Sequence, residues 1–146
     1  MQGGQMQFKL DQAGLMKAGP VALIVAAVCG LAWISIGLWG IAGLLGYLAP
    51  IFAGVWYIMT ARKSGSMPAQ MDGLVNGAIL GAVAGLVYGV VALIVSGIAV
   101  SSASFGLLTF SAYGVGSLIT SVIVGAILGA VGAFGYSFLV QQGTIK

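Results

Sequence analysis

Histidine and glutamate are missing from this chain, and its acidic side chains number two, Asp11 and Asp72. Without imidazole there is no ready base for a serine or cysteine nucleophile and no histidine ligand for haem or zinc. Cysteine occurs once, at Cys29 inside an apolar run, which rules out an internal disulfide framework and a thiolate metal site. It reads as a small side chain buried in a helix. Charged residues make up 5% of the chain, against roughly 25% in soluble domains, so a water-soluble globule is excluded. The net charge of +3 is small and dispersed, unlike the clustered Lys and Arg that nucleic acid demands. No nucleic-acid partner is expected, and the cations suit lipid headgroups.

What the chain has instead is glycine and aliphatic residues. Of its 146 residues 60% are hydrophobic and 25 are glycine. The stretch GLVNGAILGAVAGLVYGVVALI places glycine at every fourth position, Gly73, Gly77, Gly81, Gly85 and Gly89. In water each interior glycine costs a helix about 0.8–1.0 kcal/mol relative to alanine. In a bilayer the backbone must be helical to satisfy its own N–H and C=O groups. There a glycine stripe becomes a groove into which another helix settles closely. A second stripe of small residues, Ser117, Ser121, Gly125, Gly129, Ala133 and Ser137, recurs nearer the carboxyl end. The heptapeptide GAILGAV occurs twice, at 77–83 and 125–131, and the same offset carries Tyr88 onto Tyr136. Duplication and a shared packing requirement both account for this echo. Ala22, Ala26 and Gly30 offer a third small-residue stripe.

Hydropathy divides the chain into four spans. Residues 1–19 are polar to mildly amphipathic, a tail or an interfacial segment with Lys9 and Lys17 at the headgroups. From Val21 to Thr60 no charge occurs, about twice the ~20 residues that cross a bilayer. This run is therefore two helices, about 20–38 and about 44–61, with Pro20 in the first turn of the first. The turn between them is expected at the glycines 37, 40, 43 and 46, and a kink near Gly46 from Pro50. RKSGSMPAQM at 62–71 is a polar loop, and Asp72 after it is placed to cap the third span, about 72–95. Residues 96–115, rich in serine, are expected as an interfacial loop anchored by Phe105, Phe110 and Tyr113. The fourth span is about 116–140. The fold class is thus an all-α integral membrane protein of four transmembrane helices, two antiparallel hairpins packed through GxxxG faces, in a single membrane domain. The expected packing set is Gly73, Gly77, Gly81, Gly85, Gly89, Ser121, Gly125, Gly129 and Ala133.

With four spans, both termini and the 62–71 loop share one side. All five basic residues, Lys9, Lys17, Arg62, Lys63 and Lys146, then lie there, and the opposite loops carry no charge. That is the positive-inside pattern, and it predicts an inner-membrane location in a prokaryote with both termini cytoplasmic. Lys9, Lys17, Arg62 and Lys63, with Trp39, Trp56 and Tyr57, are the expected membrane-interface residues. Asn76, in the first turn of the third span, is expected to bond across to the second or the fourth span.

The spans themselves hold no ionisable residue, which removes most ion-coupled transport. Cys29, Ser35, Tyr88 and Ser121 are nucleophile types without an activating base, and each reads as a side chain bonded within a bundle. No enzyme activity, catalytic residue, metal or cofactor is expected; a bound lipid or pigment is left open. The composition points to a non-catalytic accessory or scaffolding subunit of a larger membrane complex, in an energy-transducing setting among others. Its partners would be lipids and other membrane subunits or copies of itself. The alternative is a self-assembling channel or small transporter for a neutral solute, with Ser117, Thr120 and Ser121 at its mouth.

Overall fold

Four α-helices account for nearly all of the described chain: α1 (Gln12–Leu31, continued by a 3-10 turn over Ala32–Ile34), α2 (Trp39–Lys63), α3 (Gln70–Val100) and α4 (Gly106–Gln141). The computed structural model describes residues 9–34, 39–100 and 106–145, without the side chains at 39, 99, 100 and 106–113. No strand occurs among the described residues. Four helices are long and apolar enough to cross a membrane. The expectation of an all-α chain with four such helices therefore holds.

The helices α2 and α3 form the middle of the arrangement. Each touches both α1 and α4, whereas α1 and α4 make no contact among the described residues. The most extensive contact joins α3 to α4. Small residues mark the contact side of every helix. On α1 the buried positions are Ala18, Gly19, Ala22, Ala26 and Gly30, spaced so that one stripe meets its neighbours. Large aliphatics occupy the other side, with Ile24, Val28 and Leu31 exposed on α1 and Ile119, Ile123, Ile127 and Val131 exposed on α4.

Several boundaries differ from the sequence reading, each for a physical reason. α1 starts at Gln12, with Pro20 inside it rather than in its first turn. Asp11 caps this earlier start: its Oδ1 accepts from Gly14 N at 2.9 Å, satisfying one of the unpaired amides of the first turn. Pro20 lies on the exposed side of the helix, away from the buried stripe. Gly40, Gly43 and Gly46 belong to α2 and not to a turn; Gly37 lies outside the described residues. Pro50 sits inside α2, fully buried.

The expected loop at 96–115 is mostly helical, because α3 continues to Val100 and α4 begins at Gly106. Serine is compatible with helix here because its hydroxyl folds back onto the helix itself. Ser96 donates to Leu93 O at 3.2 Å and Ser117 to Gly114 O at 2.8 Å. Phe105 lies outside the described residues, and Phe110 and Tyr113 are in α4.

At the other end α3 starts at Gln70, so Asp72 stands in its first turn instead of preceding it. The unpaired N–H groups at that end still favour a carboxylate there. Glycine closes two helices. Gly65 (φ +75°) donates to Arg62 O at 3.0 Å while Ser66 N reaches Ala61 O at 3.2 Å. Gly143 (φ +70°) and Thr144 repeat the pattern on Val140 and Leu139. A left-handed glycine followed by this pair of bonds is the Schellman ending, which a side chain with a Cβ resists.

Candidate functional site

The sequence singled out glycine faces, and the structure puts most of them together. Where a Cβ would project from Gly77, the space is taken by Ala133 Cβ and Gly129 O; at Gly81 by Gly125 O and Gly129; at Gly85 by Ser121 O and Gly125; at Gly89 by Leu118 and Ser121. The order runs up α3 and down α4, so the two GAILGAV copies lie against each other in opposite directions. Gly73 is separate: its neighbours are Ile58 of α2 and Pro68.

A second contact, between α2 and α4, was not read from the sequence. Gly54 faces the Gly129 carbonyl and Ala133 N, and Gly132 faces the Ile51 carbonyl. Gly129 therefore has the backbones of two helices against it. A side chain at Gly54 or Gly132 would hold α2 away, yet neither glycine belongs to a four-residue repeat that would have revealed it. On α1 the third stripe is used as well, with Gly30 beside Val91 and the Tyr88 carbonyl.

Polar side chains tie α1 down at both ends. At its amino end the chain segment 9–11 lies along α3. Lys9 N donates to Asp72 Oδ1 at 2.9 Å, Asn76 Nδ2 donates to Lys9 O at 3.0 Å, and Asp11 N donates to Asn76 Oδ1 at 3.0 Å. Tyr57 of α2 donates its hydroxyl to Asp11 Oδ2 at 3.0 Å. Asn76 and Tyr57 are both 0% exposed. Asn76 also donates to Asp72 O at 2.7 Å, so its carboxamide is fully engaged, as a buried amide must be. The expectation of a bond from Asn76 to a neighbouring span misses the partner: it binds the backbone before α1. Tyr57, expected to face the membrane interface, is turned inward by Asp11, a group 46 residues away in sequence. No local signal announces such a pairing.

Near the other end of α1, Trp33 Nε1 donates to the Tyr88 hydroxyl at 2.7 Å, and that hydroxyl donates to Ala42 O at 2.6 Å. The Tyr88 ring occupies the place of a side chain at Gly46, where a Cβ would stand 2.6 Å from Cζ and Oη. Glycine in the first part of α2 thus makes room for an aromatic ring of α3. Tyr88, a nucleophile type in the sequence, has both its proton and a lone pair engaged in bracing the bundle.

The remaining expected interface residues fall as follows. Lys9, Lys17 and Lys63 are exposed and Arg62 is half-buried. Trp56 stacks on Phe52 with ring centroids 5.7 Å apart, and Lys63 Nζ lies 5.8 Å from its ring centroid. The side chain of Trp39 lies outside the described residues.

Beside the Trp33–Tyr88 bond a half-open cleft of about 200 Å³ separates the start of α2 from α3 and α4. Trp33, Tyr47 and Tyr88 contribute rings, Gly43 leaves bare backbone, Gly46 and Gly85 lie beneath the Tyr88 ring and the Ser121 carbonyl, and Thr120, Ser121 and Val124 supply the α4 wall. No ionisable carboxylate or ammonium lines it. No group of three or more metal-ligating acidic, His or Cys side chains is found among the described residues.

Two measurements test this geometry. Gly81→Ala should lower the stability of the detergent-solubilised bundle by about 1–3 kcal/mol, the usual cost of added bulk in a filled contact. Gly135→Ala, where a Cβ meets open space, should leave it unchanged or slightly improved; unfolding in mixed micelles followed by circular dichroism reads both. A double-mutant cycle of Trp33→Phe and Tyr88→Phe should give a coupling of about 0.6–1.7 kcal/mol, the range for hydrogen bonds between membrane helices. A coupling near zero would mean that the bond contributes nothing to holding α1.

No family model, curated protein or solved structure matches this chain.

Proposed function

We propose that this chain is a non-catalytic accessory or scaffolding subunit of a larger integral membrane complex. The observation that carries the reading is where its polar side chains are spent. The Asp11 carboxylate, the Asn76 carboxamide and the Tyr57 and Tyr88 hydroxyls are each bonded to another part of the same bundle. Groups held in this way stabilise the arrangement of helices and are poor candidates for chemistry. Outward, α4 presents Ile119, Ile123, Ile127 and Val131, with Phe134 and Phe138 stacked at 6.3 Å further along. A row of branched aliphatics suits lipid tails or the side of another membrane helix. In this reading α3 and α4 form a glycine-zippered antiparallel hairpin, α1 and α2 form the other, and the chain works through its shape.

Both termini and the 64–69 connection are assigned to the cytoplasmic side, following the positive-inside rule. The bond from Lys9 N to Asp72 Oδ1 supports placing Lys9 near the start of α3, on the same side as Lys63. The alternative, a self-assembling channel or small transporter for a neutral solute, is favoured by one observation: Thr120 and Ser121 line the cleft between helices.

Purification from its native membrane in mild detergent separates the two readings. The subunit reading expects stoichiometric co-purification with other membrane polypeptides. A homogeneous ring or dimer that passes a neutral solute when reconstituted would replace it by the channel reading. Single cysteines at Lys9 and Lys63, introduced with Cys29 replaced by Ala, should both react with an impermeant maleimide only in inverted vesicles. Reaction from opposite sides would overturn the four-crossing topology.

A further inference from the structure

The cleft beside Trp33 has features that the packing of the bundle does not require. The glycines of the α3–α4 contact are covered by the facing helix, whereas at Gly43, as at Gly40, Gly116 and Gly135, a side chain would meet nothing within 4 Å, and of these Gly43 lines the cleft. Ser121 is the second such feature. Ser117, Thr120 and Ser137 of the same helix each donate to a carbonyl of α4 at 2.8–2.9 Å. The half-buried Ser121 side chain, whose hydroxyl packs over Gly89 at the edge of the cleft, makes no bond of this kind among the described residues. A hydroxyl inside a membrane bundle gains from an acceptor, since hydrocarbon offers none.

We infer that this cleft binds a neutral, lipid-soluble molecule through a single planar ring that carries a carbonyl oxygen, as in the headgroup of a quinone-type lipid. Size sets the ring count. An apolar cavity of about 150 Å³ admits benzene, so about 200 Å³ has room for one substituted six-membered ring. The uncharged lining selects a neutral ligand, because an ion would be stripped of water there without a counter-charge. The rings of Trp33, Tyr47 and Tyr88 suit stacking or edge contact with a flat ring, and the bare backbone at Gly43 lets it approach. Ser121 and the 56%-exposed Tyr47 carry the hydroxyls that donate to the ring carbonyl. The open side of the cleft gives the ligand's apolar tail an exit. This inference is independent of the accessory-subunit reading, since the cleft lies within one chain.

The test uses the full chain with Trp39→Phe and Trp56→Phe, leaving Trp33 as the single emitter, and a decyl-substituted benzoquinone as probe. Quenching of Trp33 should saturate near one equivalent. Ser121→Ala should weaken the probe about 2–10-fold, the loss of one hydrogen bond. Gly43→Leu, which projects into open space and keeps the fold, should abolish the saturable component, while Gly135→Leu should leave it intact. Decylbenzene, with the same tail and ring but no carbonyl, should compete at least 10-fold less well. Quenching that rises linearly and equally in the Gly43→Leu protein would overturn the site. Equal competition by decylbenzene would overturn the carbonyl assignment.

Discussion

Everything in this bundle depends on how closely α3 can approach α4. Lipid tails are as apolar as leucine, so burying aliphatic side chains between helices gains little in a membrane. What holds helices together is the sum of many short-range contacts, and that sum grows when backbones come near. Gly77, Gly81 and Gly85 against Gly125 and Gly129 remove the side chains that would keep the two helices apart. The same residues would weaken a helix in water. In a bilayer the backbone has no alternative to helix, so this weakness costs little and the close contact remains.

The α3–α4 pair also fixes the place of α2. Gly54 and Gly132 bring α2 onto α4 at Gly129 and Ala133, and three helices meet there with little but backbone between them. Nearer its start α2 lines the cleft with α3 and α4, at Gly43, Tyr47 and Ser121. α1 is held differently. It lies beside α2 and α3 through Ala18, Ala22, Ala26 and Gly30, and hydrogen bonds at Asp11 and Trp33 secure its ends. Such bonds matter where no water competes for the same donors and acceptors.

The polar cluster around Asp11 qualifies the picture of an interior free of titratable groups. The carboxylate lies at the start of α1, outside the expected span, yet it bonds a tyrosine that is 0% exposed. Its role follows from geometry: it caps α1 through Gly14 N and fixes Tyr57 with its other oxygen. One carboxylate therefore links the beginning of α1 to the end of α2, while Asn76 links the same segment to α3. The turn of chain that composition marked as a polar tail is, from Lys9 onward, the fastening of the first helix.

The sequence by itself determined the helical class and the four long apolar stretches, and it marked the small-residue stripes on them. Few charges and long apolar runs make four helices apolar enough to cross a membrane, and a glycine repeat of four residues marks one helix face whatever the partner. The serine-rich stretch from 96 misled because local composition does not show that a hydroxyl such as that of Ser96 will bond its own helix. Only the tertiary structure decided which stripe meets which, that Gly46 makes room for Tyr88, that Gly54 and Gly132 form a second crossing, and that Asp11, Tyr57 and Asn76 converge. Those pairings join residues from 29 positions apart, at Gly89 and Leu118, to 81, at Ile51 and Gly132, and the choice among them is made by the shape of whole helices. Periodicity along one helix carries no information about that choice.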